Sequence, residues 1–226
     1  MLVAGGTGGL GRAVTLMFLQ QGARVAVTYQ KQDEWDDLEQ AAKQHVKRLD
    51  GHMVDVTNEA AVSQLVATIG ALDILVNTVG GYAGGVPVWE TQTNVLEQML
   101  ALNLRSGFSL ARAVIPPMLK RQHGAIVNVA AKAAIEHPAG AGAYAASKAA
   151  ALALLDSLAA DVRGKGVRIN TILPSIIDTP ANRTAMPKAD FAKWPKPEEI
   201  ARVVLFLCSE DARVIHGAAI PVYGDS

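Results

Sequence analysis

Short segments rich in Val, Ile and Leu alternate along this chain with longer stretches whose apolar residues recur at helical spacing. Strands separated by helices run parallel, because each helix carries the chain back before the next strand begins. The alternation therefore predicts an α/β fold in which helices cover a parallel sheet. We expect seven strands, at 2–4, 24–29, 52–54, 74–77, 125–129, 168–173 and 218–222, and helices at 10–21, 35–44, 59–69, 95–119, 143–163 and 197–208.

Length and composition limit the classes of protein that the chain can belong to. Its 226 residues suit a single domain that spans 1–226. Equal counts of 21 basic and 21 acidic residues leave no overall field to hold nucleic acid. Cys208 is the only cysteine, which excludes an internal disulfide and favours the reducing cytoplasm. No apolar run approaches the roughly 20 residues of a membrane span, so we expect a soluble, cytoplasmic protein without nucleic-acid, membrane or metal partners.

Residues 175–197 follow the sixth predicted strand and show no clear periodicity. Long irregular segments in compact domains are usually either disordered or functional. Ligands bind beyond the carboxyl ends of the strands in open α/β sheets. The position of this segment therefore favours a functional lid, which would cover a bound substrate, rather than disorder.

Five glycines fall within seven positions between the first predicted strand and the first helix: Gly5, Gly6, Gly8, Gly9 and Gly11. Glycine permits a tight turn and lets backbone amides approach a pyrophosphate at the positive end of a helix. A plain strand-to-helix turn rarely needs so many glycines. The segment therefore favours dinucleotide binding over a purely structural turn.

Asp55 ends the third predicted strand, and two roles are open to its carboxylate. It could accept a hydrogen bond from the amino group of an adenine, or it could cap the next turn of the chain. The residues alone favour neither role.

Tyr144 and Lys148 lie four residues apart on a predicted helix, so both side chains can reach one ligand. A phenol has an ordinary pKa near 10, and a neighbouring ammonium would stabilise the phenolate and lower that pKa. Such a pair also occurs on ordinary helix surfaces. The Tyr144–Lys148 pair is informative because of the order of motifs along the chain, in which the glycine turn, Asp55 and Asn103 precede it.

Taken together, these motifs resemble the short-chain dehydrogenase/reductase family over essentially the whole chain. The resemblance implies a doubly wound, Rossmann-type sheet and hydride transfer with a nicotinamide cofactor. It implies that Tyr144 is the general acid/base, that Lys148 binds the nicotinamide ribose, and that Asn103 holds a proton-relay water. The cofactor-binding residues that it implies are Gly5, Thr7, Gly9, Leu10, Gly11, Tyr29, Lys31, Asp55, Val56, Asn77, Gly80, Tyr144, Lys148, Pro174, Ile177 and Thr179.

The chain departs from the family pattern at Ala131, where the family has a serine that hydrogen-bonds the substrate oxygen. Loss of one donor to a developing oxyanion typically costs a factor of roughly 10² to 10³ in rate. Three explanations remain open: an easier acceptor, a substitute donor, or loss of catalysis. Lys132 and His137 are candidate donors, although a solvated surface position is the favoured interpretation of each.

A narrower resemblance links several segments to dihydropteridine reductases, a branch of this family that also lacks the serine. The matching segments are 80–85, 131–134, 178–183, 186–187, 189–191 and Trp194, most of them in the predicted lid. The acceptor in that branch is a quinonoid dihydropterin, an electron-poor, imine-like ring system. Asn103 and the helix that begins at Pro197 instead resemble ordinary bacterial members.

The end of the second predicted strand bears on the choice of cofactor. A carboxylate there would hold both ribose hydroxyls of NAD and repel a 2′-phosphate. None is present in the segment 27–31, and Lys31 could pair with the phosphate or could equally be a solvated loop lysine. The sequence therefore favours NADP, with NAD as the alternative.

Three functions follow from these observations. The leading one is an NAD(P)H-dependent reductase of a small carbonyl or imine-like compound. A 3-oxoacyl thioester reductase is the second, and Ala131 counts against it. A non-catalytic nucleotide-binding sensor or scaffold is the third, and the retained Asn103, Tyr144 and Lys148 oppose it. The family resemblance also implies a homodimer or homotetramer that packs through helices 95–119 and 143–163.

Overall fold

Seven parallel strands form one sheet in the computed structural model, which describes residues 1–226. The strands are β1 (Leu2–Ala4), β2 (Val25–Tyr29), β3 (Leu49–Met53), β4 (Ile74–Asn77), β5 (Gly124–Val129), β6 (Val167–Pro174) and β7 (Ala219–Val222). Their order in the sheet is β3-β2-β1-β4-β5-β6-β7. The order reverses between β1 and β4, which opens a crevice at the carboxyl ends of these two strands. The predicted doubly wound, Rossmann-type parallel sheet is confirmed.

Helices cover both faces of this sheet and bury a separate apolar layer on each. The helices are α1 (Gly9–Gln20), α2 (Gln32–Ala42), α3 (Glu59–Ile69), α4 (Thr93–Leu100), α5 (Ser106–Arg121), α6 (Ala133–Glu136), α7 (Gly142–Val162), α8 (Pro180–Ala185) and α9 (Pro197–Cys208). Apolar residues of α3, α5 and α7 pack on one face, and those of α1, α2 and α9 pack on the other. None of the helices combines the length and the apolar character that crossing a bilayer requires.

Three predicted elements differ from the structure by more than one residue at a boundary. The helix expected at 95–119 is interrupted by a π-helical turn, Ala101–Arg105, between α4 and α5. The strand expected at 52–54 instead covers Leu49–Met53, because it pairs with β2 from Val25 opposite Leu49 to Tyr29 opposite Met53. As an edge strand it needs no continuous apolar run, and its sequence gave no such signal. The helix expected from residue 35 begins at Gln32, with polar residues in its first turn.

The segment 175–197 is folded and contains α8 and a 3₁₀ turn, Phe191–Lys193. Thr179 caps α8 by accepting a hydrogen bond from the backbone N–H of Asn182 at 3.2 Å. Asp178 and Arg183 form an ion pair, and the Trp194 side chain is buried. The segment therefore starts at the carboxyl end of β6 with a defined conformation.

Candidate active site

The glycine-rich turn between β1 and α1 is shaped by contacts that leave no room for side chains. Gly5 has φ of +74°, a conformation that favours glycine, and its N–H donates to Thr28 Oγ1 at 2.9 Å. A Cβ on Gly11 would overlap the Gly5 carbonyl oxygen. No side chain caps the amino end of α1, so its first backbone amides face the turn. This arrangement fits a pyrophosphate.

A cavity of about 510 Å³ opens beside this turn, in the crevice where the strand order reverses. It brings together residues from the ends of β1 to β4 that are far apart in the sequence. Among the predicted cofactor residues it includes Gly5, Thr7, Tyr29, Asp55, Val56 and Gly80. It also includes Glu34, which the sequence analysis missed. The turn and the cavity together fit a dinucleotide.

Glu34 changes the interpretation of the pocket beside β2. Its carboxylate accepts a hydrogen bond from Thr7 Oγ1 at 3.0 Å and forms an ion pair with Lys31 Nζ at 3.0 Å. This ion pair raises the pKa of Lys31. As the sequence indicates, no carboxylate lies in the segment 27–31 at the end of β2, but Glu34 reaches the pocket from the first turn of α2.

Asp55 takes the turn-forming role that the sequence left open. Its Oδ1 accepts hydrogen bonds from the backbone N–H and the hydroxyl of Thr57, at 2.9 and 2.8 Å. Asp55 is also one of the residues that line the cavity. Contact with an adenine stays a prediction.

Other predicted cofactor residues lie around the crevice and contact the loops there. Asn77 Nδ2 donates to Asn128 Oδ1 at 2.9 Å, and its Oδ1 accepts from the Val79 N–H at 3.2 Å. A Cβ on Gly9 would lie 2.8 Å from Thr179 Cγ2, so the glycine turn meets the segment 175–197 directly. Pro174 and Ile177 lie at the end of β6 and the start of that segment.

Tyr144 and Lys148 lie one turn apart on α7, and both are held in poorly solvated surroundings. Lys148 Nζ is buried and donates to the backbone oxygen of Val129 at 3.2 Å. Burial lowers the pKa of Lys148 to about 8. Burial, with the neighbouring Tyr82 as the second cause, raises the pKa of Tyr144 to about 12. At neutral pH the phenol is therefore protonated and the lysine mostly charged.

The expectation that Lys148 lowers the pKa of Tyr144 was wrong for this structure. The two side chains share a helix face, but loss of solvation outweighs any attraction between a phenolate and the ammonium. A phenol that keeps its proton is suited to donate it to an acceptor. The pair can thus serve a reductive direction without an ionised tyrosine.

Asn103 lies in the π-helical turn and connects two other parts of the site. Its buried Nδ2 donates to Ser147 Oγ at 2.9 Å and to the Gly81 carbonyl at 3.1 Å, and its Oδ1 accepts from the Gly81 N–H at 3.0 Å. A Cβ on Gly80 would come within 3 Å of Asn103 Oδ1 and Lys148 Nζ. Asn103 therefore fixes the loop after β4 against the helix that carries Tyr144. π-Helical turns are frequent at functional sites.

Lys132 and His137, the two candidates for a donor that replaces the missing serine, have other surroundings in the structure. Ala131 is buried after β5. Lys132 Nζ instead donates to the Ser226 carbonyl at 3.2 Å and pairs with Glu136 at 3.4 Å. His137 is exposed and ends α6 in a left-handed conformation. The exposed His137 agrees with the solvated surface position favoured for each residue, whereas Lys132 is half-buried and held by Ser226 and Glu136.

Tyr82 is a site residue to which sequence reasoning gave no role. Its ring packs edge-on against Tyr144, with 5.0 Å between ring centroids, and 70% of the residue is exposed. It follows the Gly80–Gly81 turn, whose position is fixed by Asn103. The only sequence signal was an aromatic residue in a glycine-rich loop, which does not specify its partner. Tyr82 borders the approach to the Tyr144 side chain.

The chain is similar to known oxidoreductases over almost its whole length. A family model described as enoyl-(acyl carrier protein) reductase matches residues 4–224. The chain is 30% identical to the 3-oxoacyl-acyl-carrier-protein reductase FabG of Thermotoga maritima, over 99% of this chain and 95% of that protein. It is 32% identical to the 2-(R)-hydroxypropyl-CoM dehydrogenase of Xanthobacter autotrophicus, over 99% and 96%. The structure of ElxO with NADP bound shares the fold, with a TM-score of 0.91 and 24% identity over 99% and 96% of the two chains.

The chain belongs to the short-chain dehydrogenase/reductase family, as its motifs indicated. It is an NAD(P)-dependent oxidoreductase.

Proposed function

We propose that this oxidoreductase uses NADPH, with NADH as an alternative, to reduce a small, electron-poor carbonyl or imine-like acceptor. The single observation that carries the proposal is the protonated Tyr144 one turn away from a buried Lys148 on α7, in a chain where Ala131 replaces the serine. When bound, the nicotinamide supplies the hydride. Tyr144 donates the proton and becomes a phenolate. The charged Lys148 binds the ribose and stabilises that phenolate.

The absence of the serine favours an acceptor that develops little negative charge on oxygen. A ketone develops negative charge on oxygen as it is reduced, and a hydrogen-bond donor at position 131 would stabilise that charge. An electron-poor, imine-like ring needs less of this stabilisation. We therefore propose a quinonoid dihydropterin as the acceptor, and the segment resemblances in 80–85 and 178–194 support this choice. The exposed Tyr82 ring beside Tyr144 offers a flat surface to such a ring.

A 3-oxoacyl thioester reductase is the second candidate function, and the similarity to FabG of Thermotoga maritima favours it. Ala131 opposes it, because a β-keto group would lack the hydroxyl donor. The non-catalytic sensor is opposed by the contacts of Asn103, which hold the loop at Gly81 against the helix of the catalytic pair.

A panel of acceptors distinguishes these functions. The purified protein would be mixed with NADPH or NADH and with quinonoid dihydropterin, an activated diketone or a 3-oxoacyl thioester, and cofactor oxidation would be followed optically. The proposal expects turnover with the dihydropterin and the diketone. Turnover with the thioester alone would favour the second candidate. Tight cofactor binding without oxidation by any acceptor would support the sensor.

Lys148 gives a prediction that links charge to cofactor binding. Because the pKa of Lys148 is about 8, its ammonium loses its charge as pH rises through that value, and affinity for NADH should fall above about pH 8. Lys148→Met removes the charge at every pH, so we expect weaker binding, lower turnover and no such pH dependence. Fluorescence titration of NADH across this range measures the effect. An unchanged pH dependence in the variant would contradict the ribose contact.

Three further assignments complete the proposal. We propose that residues 175–197 act as a lid, supported by the contact between Thr179 and the glycine turn. We propose a homodimer or homotetramer that packs through α5 and α7, supported by the partly exposed Phe108 on α5. A cytoplasmic location, supported by the single Cys208, stays a prediction.

A further inference from the structure

Glu34 is held between two segments of the dinucleotide pocket by both of its carboxylate oxygens. Oε2 accepts a hydrogen bond from the hydroxyl of Thr7, which lies in the glycine turn, and Oε1 pairs with Lys31, which precedes α2. Thr7 is buried, whereas Lys31 is largely exposed. Thr7 and Lys31 are also the groups that could hold a 2′-phosphate in this part of the pocket. The carboxylate therefore already takes the Thr7 hydroxyl donor and one of the three Lys31 donors that such a phosphate would use.

The position of Glu34 is fixed by the packing of its neighbours. Trp35 stacks on Tyr29 with ring centroids 5.2 Å apart and an angle of 16° between the rings. A Cβ on Gly51 would lie 2.5 Å from the Trp35 ring, so the ring lies directly over β3. This packing fixes the first turn of α2 against the ends of β2 and β3. Glu34 therefore lines the cavity, where its partly exposed side chain is held by Thr7 and Lys31.

A carboxylate in this part of the pocket acts in opposite ways on the two cofactors. It can accept a hydrogen bond from a ribose 2′-hydroxyl, which NADH carries, and it repels a 2′-phosphate, which NADPH carries. A cation nearby has the opposite preference. Here the two groups form one ion pair, so neither acts independently of the other.

We propose that Glu34 is the residue that sets the preference between NADPH and NADH in this protein. Its carboxylate accepts a hydrogen bond from the 2′-hydroxyl of NADH. NADPH binds only when the contacts of the carboxylate with Thr7 and Lys31 break, so that these two residues can bind the 2′-phosphate. The proposal rests on the dinucleotide site of the proposed function and deepens it. It implies that the wild-type protein discriminates weakly and accepts both cofactors.

The ratio of the two dissociation constants tests this role. Glu34→Gln keeps the shape of the side chain but removes its charge, so we expect the dissociation constant for NADPH to fall by about tenfold or more relative to that for NADH. Asp37→Asn is the matched control, because it removes one negative charge from an exposed position of the same helix and should leave the ratio unchanged. Fluorescence titration of both cofactors gives the ratio without any need for turnover.

A second variant tests whether Lys31 mediates the effect. In the Glu34→Gln background, Lys31→Met should remove most of the gain in NADPH binding, because the freed cation is then absent. A ratio that does not change in Glu34→Gln, or that changes equally in Asp37→Asn, would overturn the role of Glu34 but would not affect the proposed dinucleotide site. Failure of the wild-type protein to bind either cofactor would overturn the dinucleotide site, and with it both proposals.

Discussion

Tyr144→Phe is expected to lower turnover at least a hundredfold while leaving cofactor affinity nearly unchanged. The variant keeps the ring that packs against Tyr82 but removes the hydroxyl that donates the proton. General acid catalysis typically contributes factors of about 10² to 10⁴, so a loss of this size is the expected scale. Steady-state rates with NADPH and the best acceptor of the panel, together with the cofactor dissociation constant, measure the two effects separately.

Tyr82→Phe is the matched control for this experiment. It removes a hydroxyl from the neighbouring ring of the same edge-on pair, and its loss should be much smaller because Tyr82 borders the site without donating the proton. Equal losses in the two variants would argue against a specific role of Tyr144. Full activity of Tyr144→Phe would contradict the assignment of the proton donor.

Ala131→Ser is expected to raise the reduction of an unactivated ketone by a factor of about 10 to 10³ while barely changing the reduction of dihydropterin. The introduced hydroxyl helps only where negative charge grows on oxygen in the transition state. Rates on the two acceptors would be compared before and after the substitution. Ala130→Ser adds the same group at the neighbouring buried position and serves as the control.

The contrast between the two acceptors carries the information in this experiment. A protein adapted to an easy acceptor gains on the ketone alone. Equal gains on both acceptors would contradict such an adaptation. A wild-type protein without activity, whose Ala131→Ser variant is also inactive, would shift the balance to the nucleotide-binding sensor.

The buried strands were predictable because their sequences are apolar on both faces of the sheet. β5 and β6 are rich in Val and Ile, and the predicted bounds differ from the structure by one residue at the start of β5 and by one residue at each end of β6. β3 was displaced in the prediction because it lies at an edge, where its residues are partly exposed and include Asp50 and His52. The π-helical turn at Asn103 was not predictable, because the apolar periodicity runs on through α4 and α5.

The candidate site was predictable where its residues lie close in sequence and not where they meet only in the fold. The glycine turn and the Tyr144–Lys148 pair are local motifs. The contact of Glu34 with Thr7 spans 27 residues, and that of Tyr82 with Tyr144 depends on a loop held by Asn103. The direction of the pKa shift of Tyr144 also depends on tertiary burial, which the spacing of two residues does not reveal.

The most direct test of the account is the ratio of kcat/KM for quinonoid dihydropterin to kcat/KM for a 3-oxoacyl thioester, measured on the wild-type protein with NADPH. The absence of a hydroxyl donor at Ala131 penalises the acceptor that develops charge on oxygen, so the account predicts a ratio of at least about 10² in favour of the dihydropterin. A ratio near one, or one that favours the thioester, would contradict the claim that the missing serine matches the site to an electron-poor acceptor.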